Sequence, residues 1–116
     1  MEARIEIRML SGGDDAVLDG VAPGVVDDGI DAKATTEFLS DPRHHLVVAI
    51  DNGQVVGFTS AVHYVHPDKP NPEMWINEVG VAPSHRRRGV AKAMLSIVLD
   101  LARSLNCSEA WVLADP

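Results

Sequence analysis

Basic side chains are concentrated at one place in this sequence, Ser84-His85-Arg86-Arg87-Arg88-Gly89-Val90-Ala91, where three consecutive arginines precede a glycine and a helical pattern. The start of a helix carries several unpaired N–H groups and about half a positive charge, so a loop folded against it offers an anion both donors and a favourable field. Phosphate is the expected guest. Gly89 lets the main chain come close, Ala91 is small for a similar reason, and Arg86, Arg87 and Arg88 add attraction and side-chain donors. A glycine after a basic turn, taken alone, simply starts a helix. The order of strand, proline, basic-glycine turn and long helix is what points to phosphate. The three-glycine dinucleotide fingerprint is missing, and so is the Gly-Lys-Ser/Thr of a P-loop.

The other candidate chemistry is weaker. His63 and His66 are three apart, a spacing that puts them on opposite faces of a strand, so no metal site is expected there. His44, His45 and His85 read as surface turn residues, with a phosphate contact open to His85 when it is protonated. The lone Cys107 has no second thiol, which excludes an internal disulfide and a thiolate metal centre. Trp75 and Trp111 are expected to pack against the long helix or line loop ends, and Met9, Met74 and Met94 to sit in the core or at strand ends.

The elements that must position the basic turn can be read from periodicity. Ile5 and Ile7 alternate with charged neighbours over Arg4 to Met9, the period of a half-buried first strand. Residues 11 to 44 are rich in Gly, Asp and Pro, with short helical windows at Asp14 to Gly20 and Asp31 to Ser40, the second capped by Asp31. His45 to Ile50 and Gln54 to Val65 flank Asp51-Asn52-Gly53, a strong hairpin signal, so strands two and three are antiparallel. The three prolines of His66 to Pro72 make a loop. Met74 to Ala82 is strand four, stopped by Pro83. From Gly89 the period becomes 3.6, with Val90, Met94, Ile97, Val98, Leu101 and Leu105 on one face of a helix, and Ser108 to Leu113 is strand five. Strand, helix, strand in succession implies a parallel crossover between strands four and five.

Composition bounds the function. The chain has 116 residues, is 46% hydrophobic, and is expected to form one domain, residues 1–116, with a packed core. Its net charge of −7 is uneven: residues 1–58 hold 11 acidic and 4 basic side chains, and residues 59–116 hold 6 of each. Such a balance repels a phosphate backbone, so no nucleic-acid role is expected. No apolar run reaches the roughly 18 residues of a membrane span, and the start lacks a signal-type apolar stretch, so a cytoplasmic protein without a membrane partner is expected.

The run Ile76-Asn77-Glu78-Val79-Gly80-Val81-Ala82-Pro83-Ser84-His85-Arg86-Arg87-Arg88-Gly89-Val90-Ala91 resembles the signature of the GNAT acyl-CoA N-acyltransferases. Arg86, Gly89 and Ala91 match that family's phosphate loop, Glu78, Val81 and Pro83 match the end of its fourth strand, and Val55-Val56-Gly57-Phe58 looks like its third. The resemblance covers about residues 45 to 115, and within the family the aminoglycoside 3-N-acetyltransferase-like branch is the expectation. It implies an α/β fold with a mixed, mostly antiparallel sheet and a parallel crossover from strand four through the long helix to strand five.

By the same resemblance, acetyl-CoA lies in a notch between strands four and five. Its pyrophosphate would rest on the amides of Arg87, Arg88, Gly89, Val90 and Ala91, and its pantetheine arm along the backbone of Val79, Gly80 and Val81, with the Val79 amide as oxyanion donor. Glu78 is then the candidate base for the acceptor amine, with partial burial expected to raise its pKa. The implied reaction is direct acetyl transfer to a primary amine of a small cationic acceptor, drawn by Asp14, Asp15, Asp19, Asp27, Asp28 and Asp31, although those aspartates also read as a solvated face. The alternatives are a noncatalytic acyl-CoA-binding module and a protein or peptide N-acetyltransferase. Family members usually continue past strand five into a helix that carries a tyrosine, whereas this sequence stops at Pro116 and its single tyrosine, Tyr64, is on strand three. The C-terminal elements are therefore expected to be missing, leaving the edge of strand five to a continuation of the chain or to a homodimer.

Overall fold

Asn52 and Gly53 both take left-handed backbone conformations, φ 56° and 78°, as the tightest hairpin turns require. They join β2 (His44–Asp51) to β3 (Gln54–Tyr64) in the computed structural model, which describes residues 5–112. With β1 (Glu6–Leu10), β4 (Glu73–Val81) and β5 (Glu109–Val112) these form one five-stranded sheet in the order β1-β2-β3-β4-β5. Pairing is antiparallel from β1 to β4 and parallel between β4 and β5. The expected mixed sheet and crossover are therefore present. The expected ends at Arg4 and Leu113 lie outside the described residues.

Among the described residues there are two α-helices. Asp31 caps α1 (Ala32–Ser40) by accepting the Ala34 amide at 2.8 Å, as its short side chain predicts. The window at Asp14 to Gly20 is not α-helical; it is a 3-10 turn over Asp15–Asp19, too short and aspartate-rich to extend. The helix that follows the basic turn, α2 (Val90–Ser104), buries Val90, Met94, Val98 and Ala102, one residue per turn. That stripe packs on Val47, Ala49, Val56, Ala61 and Met74 of the sheet. Met94 comes so near that a β-carbon on Gly57 would stand 3.0 Å from its sulfur. The opposite face carries a second cluster, in which Leu18 and Leu39 cover Leu10, Leu46, Val48 and Val55. No helix among the described residues is long and apolar enough to cross a membrane.

The join of β4 to β5 is polar. Glu73, only 4% exposed, accepts hydrogen bonds from Trp111 Nε1 at 3.0 Å, Lys69 Nζ at 3.2 Å and Tyr64 Oη at 3.4 Å, with His66 Nε2 at 3.1 Å. The indole donor above all, then Lys69 and His66, holds its carboxyl down to about 2 against the opposing effect of burial. A folded value below the ordinary 4.5 contributes stability that is complete above that pH and lost as pH falls toward 2. Trp111→Phe keeps the ring and deletes the donor, so its acid-unfolding midpoint by circular dichroism is expected at higher pH than the parent's. An unchanged midpoint would show that the indole does not hold Glu73.

Several side chains depart from expectation. Trp111 does not pack on α2: it is 46% exposed on the edge strand and spends its N–H on Glu73. His45 is not a turn residue but part of β2, where its Nε2 meets His63 Nδ1 of β3 at 2.8 Å and the rings stack. Burial first, then the neighbouring His63 and His44, pushes the His45 pKa down to about 4. Met9 is exposed at the rim, while Met74 and Met94 are fully buried.

Candidate active site

The site begins with one extra residue. Ser60 of β3 opposes Glu78 of β4, yet the next residue, Ala61, opposes Ile76, so Asn77 is bulged out of the ladder. β4 runs parallel to β5 up to the bulge. Among the described residues their pairing ends at Ile76 with Val112. Ala82 donates its amide to Val56 on β3 at 2.8 Å, and because the direction alternates along a strand, the amides of Val79 and Val81 face the β5 side. Val79 is correspondingly exposed for an apolar residue, at 39%.

A cleft of about 710 Å³ lies along this part of β4. Glu78, Val79, Gly80, Val81, Arg86 and Ala91 line one side, Val112 another, and the segment Gly24–Asp27 a third. That segment crosses directly over Gly80, where a β-carbon would collide with the carbonyl of Val25. Arg86 folds back, its Nε donating to the Val81 carbonyl at 3.1 Å. The Val81 carbonyl is therefore occupied, and its amide remains.

At the end of the cleft stands the N-terminus of α2. Arg87 and Gly89 are both left-handed, φ 63° and 78°, and no side chain caps the helix. Its first amides thus have no partner within the helix or from a cap. Val90 turns its side chain into the core while Arg86, Arg87, Arg88 and Gly89 are exposed. A β-carbon on Gly89 would meet nothing within 4 Å, so the space before these amides is open. Alternating left-handed residues that turn successive N–H groups to one side are a known anion cradle. The β4 amides, unpaired among the described residues, the open space at Gly89 and the uncapped helix together fit a long thiol cofactor with a pyrophosphate. His85 does not join them: its Nε2 is 2.6 Å from Asp51 Oδ2 and its Nδ1 2.7 Å from Ser84 Oγ.

Glu78 faces away from α2. It is exposed rather than partly buried, on the far side of the register shift from the buried Ile76. Ser60, almost fully buried, donates to its Oε1 at 3.1 Å. Sequence reasoning missed Ser60, whose only signal is its register opposite Glu78. A second cavity, about 290 Å³, opens on this face between α1, the segment Val26–Asp31 and the sheet. Glu78, Val26 and Asp27 border both spaces, so the carboxylate stands at their junction. Among the described residues no group of three metal-ligating side chains converges.

Similarity to known proteins agrees with this geometry. The Acetyltransferase (GNAT) family matches residues 20–115. N-acetyltransferase 8 of Rattus norvegicus is 33% identical over 72 residues, which is 62% of this chain and 32% of that protein. The chain thus spans about a third of the length of the curated relatives it matches. An aminoglycoside acetyltransferase from an uncultured soil metagenomic sample superposes with a TM-score of 0.81 at 20% identity, over 97% of this chain and 80% of that one. Aminoglycoside N-acetyltransferase AAC(6')-Iy, solved in complex with CoA, gives 0.75 at 24% identity over 100% and 80%. At such identities the structures speak for the fold. With a family match across most of its length, the chain belongs to the Acetyltransferase (GNAT) family.

Proposed function

We propose that this chain binds acetyl-CoA between β4 and β5 and transfers its acetyl group to a primary amine of a small cationic acceptor held at Glu78. The observation that carries this is one alignment: the cleft along β4 beyond the Asn77 bulge, lined by Val79, Gly80, Val81, Arg86 and Ala91, runs to the uncapped start of α2, with a carboxylate at the junction of cleft and second cavity. Acetyl-CoA supplies a thioester whose C–S bond breaks as the amine's N–C bond forms, the amine losing one proton and the departing sulfur gaining one from water. The Val79 amide polarises the acyl carbonyl, a preorganised donor on a rigid strand. Val79 and Val81 hold the pantetheine arm alongside Gly80, and the amides of Arg87, Arg88, Gly89, Val90 and Ala91 hold the pyrophosphate. Arg86, anchored on the Val81 carbonyl, keeps its remaining N–H groups at the cleft. Glu78 takes the amine proton through water, and Ser60 fixes the carboxylate's orientation.

Attack is direct. Cys107 lies beyond the far end of α2, whose 15 residues span about 22 Å, and burial pushes its thiol pKa up, away from the reactive thiolate. The test is an amide-resolved magnetic resonance titration with CoA. Shifts are expected at Val79, Val81 and Arg87 to Ala91. Absence of shifts there, or shifts confined to β1 and β2, would overturn the proposed binding site.

A further inference from the structure

We infer that the acceptor amine is carried on a compact apolar body, alkyl or aryl and about one ring in size, an inference that rests on the acetyl-transfer proposal. The second cavity is walled on the sheet side by Leu46 and Phe58 and on the other by Leu18, Phe38 and Leu39. Register explains the arrangement. Leu46 opposes Ser60, and Ser60 opposes Glu78, so an apolar residue, a hydroxyl and a carboxylate stand in one row across β2, β3 and β4. Phe58 is in the next row, opposite Gly80, whose missing side chain lets the Val25 segment close over the sheet and bring Val26, Asp27 and Asp28 to the rim. The cavity is therefore greasy in its body and acidic at its edge. An ammonium placed at Glu78 shares the cavity with Asp27, while the group attached to the amine can lie against carbon on Leu18, Phe38, Leu39, Leu46 and Phe58.

Size and polarity each narrow the acceptor. About 290 Å³ is at or below the small end of ligand pockets, roughly 300 Å³, so a three-ring aminosugar would have to extend outside it. Polar side chains in the lining are confined to Thr35, Ser60 and the carboxylates, so a hydroxyl or a further ammonium driven against the leucine and phenylalanine walls would lose water without gaining a partner there. Away from Asp27 and Asp28, the acidity of the N-terminal third is less available to a polycation than the composition suggests. Asp31 spends Oδ2 on the Ala34 amide, Asp15 accepts from Thr36 at 2.5 Å, and Asp14 pairs with Arg8 at 3.1 Å. An apolar monoamine uses both features, burying its body and leaving one charge at the carboxylates.

The test is a magnetic resonance titration of the chain with propylamine, butylamine, pentylamine and 2-phenylethylamine, read at the amides of Thr35, Phe38 and Ser60, with spermidine and kanamycin as polycationic arms. Affinity is expected to rise about fourfold per methylene, with 2-phenylethylamine at least as tight as pentylamine. Ala34 is an exposed α1 residue at the cavity wall, so Ala34→Trp should fill the cavity without disturbing the core. This variant is expected to weaken pentylamine by about tenfold or more and leave the CoA shifts intact. A series flat in chain length, spermidine or kanamycin binding more tightly than pentylamine, or unchanged pentylamine affinity in Ala34→Trp would each overturn the inference. CoA shifts in the same samples read the underlying proposal separately. CoA binding with a flat amine series removes only the apolar acceptor, whereas an intact series without CoA binding removes acetyl transfer and leaves the cavity's preference standing.

Discussion

Glu78→Gln is expected to slow acetyl transfer near pH 7 by about a hundredfold, the lower end of what a positioned base contributes, while CoA affinity changes by less than about twofold. The amide is nearly the same size as the carboxylate and still accepts the Ser60 hydroxyl, so the geometry of the row Leu46, Ser60, Glu78 survives. What it loses is the capacity to take a proton. A primary amine titrates near pH 10, so each unit of pH above 7 supplies about ten times more free amine without help. The ratio of parent to variant rates should therefore shrink steadily toward alkaline pH. A pH-independent ratio would assign Glu78 to acceptor positioning, and an unchanged rate would remove it from the chemistry.

Gly89→Asn is expected to weaken CoA by about tenfold or more with little loss of fold. Asparagine is among the few residues that enter the left-handed region at modest cost, so the φ of 78° at the helix start can be kept. Its side chain, however, fills the open space before the Val90 and Ala91 amides, where a phosphate must sit. Gly53 supplies the control. It has the same φ of 78° and equally empty surroundings, but lies in the β2–β3 hairpin. Gly53→Asn should change the melting temperature by a similar amount and leave CoA affinity untouched. Equal loss of CoA binding in both variants would trace the effect to global stability rather than to the cradle.

The features that were legible in the sequence are the local ones. Asn52-Gly53 specifies its own turn, Asp31 its own cap, and the Val90, Met94, Val98 stripe its own helix, because each depends on residues a few positions apart. The basic turn was legible for the same reason. The bulge at Asn77 was not, since it arises from the register of β4 against β3, a pairing that joins residues about 18 apart. With the bulge hidden, so were the exposure of Glu78 and its contact with Ser60. Glu73, one residue before the expected start of strand four, carried no local signal of burial, because its partner Trp111 comes from β5, 38 residues on. His45 and His63 likewise meet only once β2 and β3 pair. The acceptor cavity depends on the irregular segment Val26–Asp31, which has no periodicity to read.

The central claim is that an acetyl group passes directly from a thioester in the β4–β5 cleft to an amine at Glu78. The most direct measurement follows thiol release from acetyl-CoA with a primary amine such as pentylamine present or omitted, and weighs the products by mass spectrometry. Thiol should appear only with the amine, in one-to-one step with the N-acetyl product and with no acetylated protein. Thiol release that ignores the amine, acetyl accumulating on the chain, or CoA binding without any amide formed would contradict it.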